Sequence, residues 1–507
     1  MSEVVIRARQ QAKAERDAAA RSGWMMAAFG LVLMTLLLGS AKLLGDPDTQ
    51  WHIAAGRMIL EAREMPRADA LSHTFAGQPW IAKEWLSQII LAATYRIAGW
   101  AGVAFLPALA TAATFAIVML VNAGRTSPMT GIAAGLASLA IIAPTVVARP
   151  HVLVFPLVAL WTLALMRGAE NGRPPWIALI LMVLWANMHA GFTMGFVIAG
   201  AFGLDALLRA APGSRLRTAL VWFAFGIACL LATILTPYGA APLKLNVIMA
   251  QGNEAMQFID EWRSPGVSVK SLMLLIFSGL SIAALAQRWR VNAARILLLV
   301  FLTYAMLRHE RFIMVFGLVA PIIAFRDLAA QTGVILKRFN LFQGEVLPPG
   351  VYAPAATALA LAASAALLLR MPWHPPLNVA PVAALAAVPE DVRQKNVFNS
   401  YDLGGFLAFN KVPTFIDGRT DQLFLGGFIT RVMRASTAKT PDAFAALLDE
   451  FKVEWAIVNT DQWESLHFPK LAGWDEINSS DAEKVRVYRR IAPLGPALSF
   501  DDLSLRR

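Results

Sequence analysis

The sequence predicts a polytopic α-helical membrane protein that ends in a small external α/β domain. Three observations carry this prediction. The 507 residues are 57% hydrophobic and 16% charged, with a mean hydropathy of +0.54, against about 45–50% and about 25% in soluble globular chains. Apolar stretches approaching bilayer thickness recur between residues 24 and 370. Beyond residue 372 the pattern changes to short apolar runs between charged and proline-containing segments. The net charge of +11 reflects loop topology and is not a nucleic-acid signal. A single cysteine, Cys229, excludes an intramolecular disulfide.

The N-terminal segment 1–23 is basic, with Arg7, Arg9, Lys13, Arg16 and Arg21 ahead of an apolar run over 24–44. That run is long enough to span and longer than the core of a signal peptide, so it reads as an uncleaved first helix with a cytoplasmic N-terminus. Further spans are expected near 101–122, 129–147, 152–167, 176–188, 191–208, 218–236, 269–286, 295–307, 312–325 and 351–370. Residues 85–98 are short and hold Gln88, Tyr95 and Arg96, which suits a helix lying along the interface. If that segment does not cross, Arg125, Arg167, Arg173, Arg209, Arg215, Arg217, Arg288, Arg290, Arg295, Arg326, Lys337 and Arg338 all become cytoplasmic. The positive-inside bias therefore gives about eleven spans, with the first loop, 45–100, and the C-terminus outside.

A proline-rich linker is expected over 372–389, and an α/β domain over 390–507. Strand-like runs occur at 396–398, 414–416, 455–458 and 485–488. Between them Phe444, Leu447, Leu448 and Phe451 stand at helical spacing.

Polar groups gather at the external ends of the expected spans. Asp46-Pro47-Asp48, with His52 close behind, opens the first external loop. Two carboxylates this close disfavour joint ionisation, which suits a general base. The same residues also suit a metal-binding pair or, for Asp48, a helix cap. Asp46 is preferred as the base because it stands nearer the first span, with Asp48 as metal ligand, cap or second carboxylate. Glu84 either faces the same cavity or sits in an interfacial helix flanked by Trp80 and Trp85. Arg149 suits phosphate, which a guanidinium matches bidentately, or snorkels to the headgroups. His151, His189 and the run Arg308-His309-Glu310-Arg311 join it as candidate phosphate or substrate ligands, as does Glu261-Trp262-Arg263. In the tail, Asp402-Leu403-Gly404-Gly405 reads as a tight turn in which the glycines supply positive φ. Asp417-Gly418-Arg419 reads as a polar cluster at a strand end. No Walker motif, dinucleotide fingerprint or zinc spacing is present.

This layout resembles the GT-C class of membrane glycosyltransferases, which includes protein O-mannosyltransferases, aminoarabinose transferases and oligosaccharyltransferases. Asp46-Pro47-Asp48 is similar to the acidic site of that class, and 49–98 to its helical first loop. Residues 45–85 also resemble a group of bacterial membrane proteins that open Asp-Pro-Asp-x-x-Trp-His and continue to Glu-Trp-Leu. The resemblance implies an inverting transferase in the bacterial inner membrane. Its donor would be a polyprenyl-phosphate-linked sugar and its acceptor a glycan, lipid or protein on the outer face. Membrane lipids would be its other contacts, and nucleic acid would not be a partner. A divalent metal, magnesium or manganese, stays open, with Asp46, Asp48 and His52 as its ligands if one binds. Two other classes compete. A transporter or flippase would place its charges near the midplane, on repeats that the sequence lacks. A non-catalytic cell-envelope assembly protein would use the tail for docking.

Overall fold

The computed structural model describes residues 28–123, 128–252, 262–266, 292–338, 349–424 and 426–493. The chain divides into two compact units. One comprises 1–43, 104–243 and 261–372; the other comprises 44–103, 244–260 and 373–507.

The first unit is helical. Each expected span within the described residues forms a helix, among them Pro128–Ile142, Phe155–Glu170, Leu179–Met188, Thr193–Arg209, Arg215–Ile234, Ala293–Arg308 and Pro349–Arg370. The span expected at 269–286 lies outside the described residues. Among those residues, three helices are long and apolar enough to cross a membrane by length and composition alone: Trp85–Asn122, Ala190–Arg209 and Pro212–Ile234. The helix Trp85–Ala123 is broken at Gly99, where φ is 57° and ψ −149°. This left-handed residue separates 85–98 from 100–123, and the first piece, about 21 Å long at 1.5 Å per residue, is shorter than a bilayer core.

An ionic cluster with a buried centre joins three of these helices at one end. Arg295 opens Ala293–Arg308, Asp205 and Arg209 close Thr193–Arg209, and Glu170 closes Phe155–Glu170. Arg295 Nε donates to Asp205 Oδ2 at 2.7 Å, Arg209 Nε to Asp205 Oδ1 at 2.6 Å, and Arg295 Nη2 to Glu170 Oε1 at 3.2 Å. Asp205 and Arg295 are almost wholly buried, and charges so placed require partners of this quality. The opposite ends of the same helices adjoin His151, His189 and His309. The fold thus gathers Glu170, Asp205, Arg209 and Arg295 at one end of these helices and His151, His189 and His309 at the other.

The second unit brings the first loop and the tail together. Its four-stranded sheet has the order β1-β2-β4-β3, with β1 Val397–Asn399, β2 Trp455–Asn459, β3 Trp474–Ser480 and β4 Val485–Arg490. β1 and β2 run parallel, and β4 is antiparallel to β2 and to β3. The helix expected around 441–451 forms as Asp442–Glu450 and buries Phe444, Leu447 and Leu448. Val388 and Val392, from the proline-rich stretch and the short helix Glu390–Arg393 after it, share a core with Leu403, Leu407, Trp455 and Ile457. Residues 414–416 do not form the expected strand. Thr414 instead makes a single parallel bridge to Ser72 of the first loop, because its hydrogen bonds go to Leu71 O and His73 N, both at 2.9 Å.

Candidate active site

The first-loop helix Asp48–Ala62 sets the two aspartates apart. Asp46 Oδ1 accepts the Asp48 backbone N–H at 2.8 Å, and the Asp46 carbonyl accepts from Thr49 at 3.3 Å. Asp46 therefore serves donors of the first turn, which have no partner inside a helix. The Asp48 carboxylate is turned towards the tail. Its Oδ1 lies 2.0 Å, and its Cγ 2.6 Å, from the point where a Cβ on Gly418 would stand. Trp51 Nε1 lies 2.7 Å from that point. Any side chain at 418 would displace the carboxylate.

A second close approach explains the other glycine pair. A Cβ on Gly405 would stand 2.2 Å from Pro47 O, and one on Gly404 2.2 Å from Ile416 O. These glycines do not supply the positive φ expected of a tight turn. Gly404 opens the helix Gly404–Phe409 with φ −60° and ψ −42°, and the lack of a side chain lets other backbone come near.

Gly418 is held between two residues that form a buried ion pair. Arg419 donates from Nε to Asp417 Oδ1 at 2.8 Å and from Nη2 to Asp417 Oδ2 at 2.7 Å, while Nη1 bonds Asp69 Oδ1. Asp417 also accepts Thr414 Oγ1 at 2.8 Å and the Arg419 backbone N–H at 3.0 Å. Asp69 accepts Leu71 N at 2.9 Å and Ser72 N at 3.3 Å. The Trp80 ring underlies the guanidinium at 5.1 Å. Asp417, Arg419 and Asp69 are 0%, 1% and 3% exposed. Burial pushes the Asp417 carboxyl up, but the charge and hydrogen bonds of Arg419 outweigh it and hold the group below its ordinary value. Burial likewise pulls Arg419 down, and Asp417 with Asp69 more than restores it. Asp417 and Arg419 therefore stay ionised.

The 414–422 segment hangs on the sheet and on the loop at once. Asn399, at the end of β1, accepts from Phe415 N and donates to Ile416 O, each at 2.8 Å. Thr74 Oγ1 donates to Phe415 O at 2.7 Å, and His73 Nε2 lies 2.8 Å from Val397 O. Ile81 and Gln422 exchange hydrogen bonds at 3.2 and 3.1 Å, and Lys83 pairs with Asp421.

His52 and Glu84 meet each other. His52 Nδ1 stands 3.3 Å from Gln88 Nε2, and its Nε2 3.9 Å from Glu84 Oε2. Asp46 caps, Asp48 faces Gly418 and His52 faces Glu84, so these three do not converge as metal ligands. Among the described residues no group of three or more His, Cys, Asp or Glu side chains could hold an ion. The magnesium or manganese ion that the sequence left open therefore has no ligand group among the described residues, and no step of the proposed reaction passes through a metal.

In the helical unit, the His151 and His189 rings lie 6.1 Å apart. His151 Nε2 is 2.8 Å from Thr145 O, and His189 Nδ1 accepts from Gly191 N at 3.0 Å. Arg149 is half-buried just before the short helix Pro150–Leu153. His309 Nδ1 lies 2.6 Å from Trp262 O, Arg311 stacks over the Trp262 ring at 4.2 Å, and Arg308 is exposed. Glu261 lies outside the described residues. Sequence reasoning gave Trp51 no role beyond its place in the Asp-Pro-Asp-x-x-Trp-His pattern, and it did not single out Asp69.

Neither a family model nor a curated protein matches the chain. Solved structures do. The oligosaccharyltransferase AglB of Archaeoglobus fulgidus, in complex with an inhibitory peptide and a dolichol-phosphate, superposes with a TM-score of 0.52 at 12% identity, over 86% of this chain and 69% of that one. The apo oligosaccharyltransferase of the same organism gives 0.50 at 13%, over 86% and 70%. ArnT of Cupriavidus metallidurans bound to undecaprenyl phosphate gives 0.45 at 15%, over 93% and 98%. The likeness is one of fold, shared with these two oligosaccharyltransferase structures.

Gly418→Ala tests the close approach. A methyl group there moves the Asp48 carboxylate by about an ångström, a displacement that costs about 10²-fold in rate when the group is catalytic. Turnover in detergent should fall by that order while the protein remains monodisperse. Gly426→Ala, which meets open space, should be silent.

Proposed function

We propose that the chain is a glycosyltransferase that moves a sugar from a polyprenyl-phosphate carrier to a glycan, lipid or protein acceptor on the outer face of the membrane. One observation carries the reading: in a chain with an oligosaccharyltransferase-like fold, a first-loop carboxylate, Asp48, stands against Gly418 at the start of a helix. In the proposed reaction Asp48 takes the acceptor's proton, and the acceptor atom attacks the anomeric carbon. The bond from that carbon to the phosphate oxygen breaks, and its electron pair leaves with the polyprenyl phosphate. A single displacement inverts the anomeric centre. This exchanges the two roles expected from the sequence, since Asp46 serves as the cap. His52 and Glu84 support the helix through each other and Gln88. Arg149, His151, His189, Arg308, His309 and Arg311 are assigned to the carrier's phosphate. The dolichol-phosphate bound by AglB supports a leaving group of this kind.

The proposed topology has about eleven crossings in the bacterial inner membrane, a cytoplasmic N-terminus, residues 85–98 along the outer interface and the tail outside. The ionic cluster of Glu170, Asp205, Arg209 and Arg295 supports it, because it gathers helix ends that the positive-inside rule assigns to the cytoplasm. In a Cys229→Ala background, a membrane-impermeant thiol reagent should label Thr440→Cys on intact spheroplasts and leave Ser214→Cys unlabelled. Labelling of Ser214→Cys from outside contradicts this orientation.

Asp48→Asn should lower transfer by about 10²–10⁴-fold, the usual contribution of a general base, with expression unchanged. Asp46→Asn keeps a capping oxygen and should be much milder. Full activity of Asp48→Asn in radiolabelled transfer would remove the reading's central residue and favour the assembly-protein alternative.

A further inference from the structure

The long broken helix changes character at Gly99. Residues 85–98 include Gln88, Tyr95 and Arg96, whereas 100–123 hold no charged residue. At 1.5 Å per residue the second piece is about 36 Å long, enough to cross a bilayer core. Trp100 opens that piece and Tyr95 stands just before the break, the two ring types that prefer the headgroup level. The tail reaches the same place. Phe409, the last residue of the helix Gly404–Phe409, packs edge-on against Tyr95, with ring centroids 5.2 Å apart. It lies 5.4 Å from the Trp100 ring, and Tyr95 and Trp100 are 5.0 Å apart. Arg57 stands over the Phe409 ring at 4.3 Å and donates to its carbonyl. These three rings are half-buried, while Arg96, Ile97, Asn410 and Lys411 beside them in sequence are exposed, Ile97 to 85%. Neither Arg96 nor Lys411 is paired with a carboxylate among the described residues.

Resting on the reading of 85–98 as a helix along the outer interface, we propose that the tail itself sits on the bilayer at Phe409–Lys411, with acidic phospholipids as its partner. An open isoleucine is poorly placed in water and well placed at the boundary of the acyl chains. Aromatic rings fill the headgroup level beside it, and the two cations attract the phosphates of acidic lipids. A protein docked here would have to displace lipid from beside Trp100, where the apolar segment enters the bilayer. The contact also reaches towards the first-loop carboxylates. Gly405, at the other end of the Phe409 helix, lies against Pro47 O, and Arg57 belongs to the helix that Asp48 opens. Seating Phe409 on the membrane therefore fixes the height of Asp48 above it.

The test uses the full chain in nanodiscs, in a Cys229→Ala background, with a thiol-linked bimane at one exposed site. The sites are Ile97→Cys, Asn410→Cys, which leaves Phe409 and Lys411 in place, and Asp461→Cys in the turn after β2. The quencher is a phospholipid with a nitroxide on its acyl chain next to the headgroup, either phosphatidylglycerol or phosphatidylcholine. Labels at 97 and 410 should lose most of their fluorescence, and the label at 461 should lose none. At equal mole fraction the phosphatidylglycerol should be enriched about fivefold around position 410, the worth of one cation at a membrane surface. Lys411→Gln should remove that preference. Quenching at 97 but not at 410 would overturn the tail contact alone. Quenching at neither site would remove the interfacial reading of 85–98 first, and the tail contact with it. Equal quenching by the two lipids, or quenching at 461 as strong as at 410, would also overturn the proposal. None of these readouts depends on turnover, so the glycosyl-transfer reading stands or falls separately.

Discussion

Arg419 has almost no access to water, and it is held there by two carboxylates from distant parts of the chain. Asp417 grips it bidentately from two residues away, and Asp69 reaches it across 350 residues of sequence. A buried ionic triad gives little net stability, because desolvation offsets most of the attraction. It does give register. The guanidinium has a fixed fork, so only one placement of the first loop on the tail satisfies both partners. That placement sets Gly418 against Asp48 and Gly405 against Pro47. The Ile81–Gln422 exchange and the Lys83–Asp421 pair extend the same register to Trp85, where the long broken helix begins. The tail is thus a structural half of the first-loop unit.

The helical unit meets the same constraint with different groups. Its buried Asp205 takes both Arg209 and Arg295, so two cations share one carboxylate where the tail has two carboxylates sharing one cation. Each cluster satisfies its buried charges, Asp417 and Arg419 in one and Asp205 and Arg295 in the other, by short, directed hydrogen bonds. Small residues then allow a neighbouring side chain to pack against backbone. Ser138 Oγ donates to Gly317 O at 2.7 Å, and a Cβ on Gly317 would stand 2.6 Å from Ile142.

Much of the fold was legible because it depends on local pattern. Apolar runs marked the helices, and Phe444, Leu447 and Leu448 marked the tail helix by spacing alone. β1, β2 and β4 were visible as apolar or β-branched runs. β3, Trp474–Ser480, was not, because it is a polar edge strand paired only with β4. The site was legible in part. Asp46-Pro47-Asp48 stood out by its place after the first apolar segment, and Asp417-Gly418-Arg419 by its polarity at a strand end. Their meeting was not legible, since no local rule pairs residues so far apart. Proximity to the first span favoured Asp46 as the base. The direction of the two side chains in one helical turn, which composition cannot reveal, is what separates a cap from a carboxylate facing Trp51.

The central claim is that the tail acts on the reaction through Asp48, and a double-mutant cycle between Gly418→Ala and Asp48→Asn measures it directly. The cycle reads the transfer rate of wild type, both single variants and the double variant. If Gly418 serves to position the Asp48 carboxylate, the alanine costs almost nothing once that carboxylate is gone, and the double variant matches Asp48→Asn alone. If the two losses multiply instead, Gly418 and Asp48 act independently, and the account of a first-loop base held in place by the tail is contradicted.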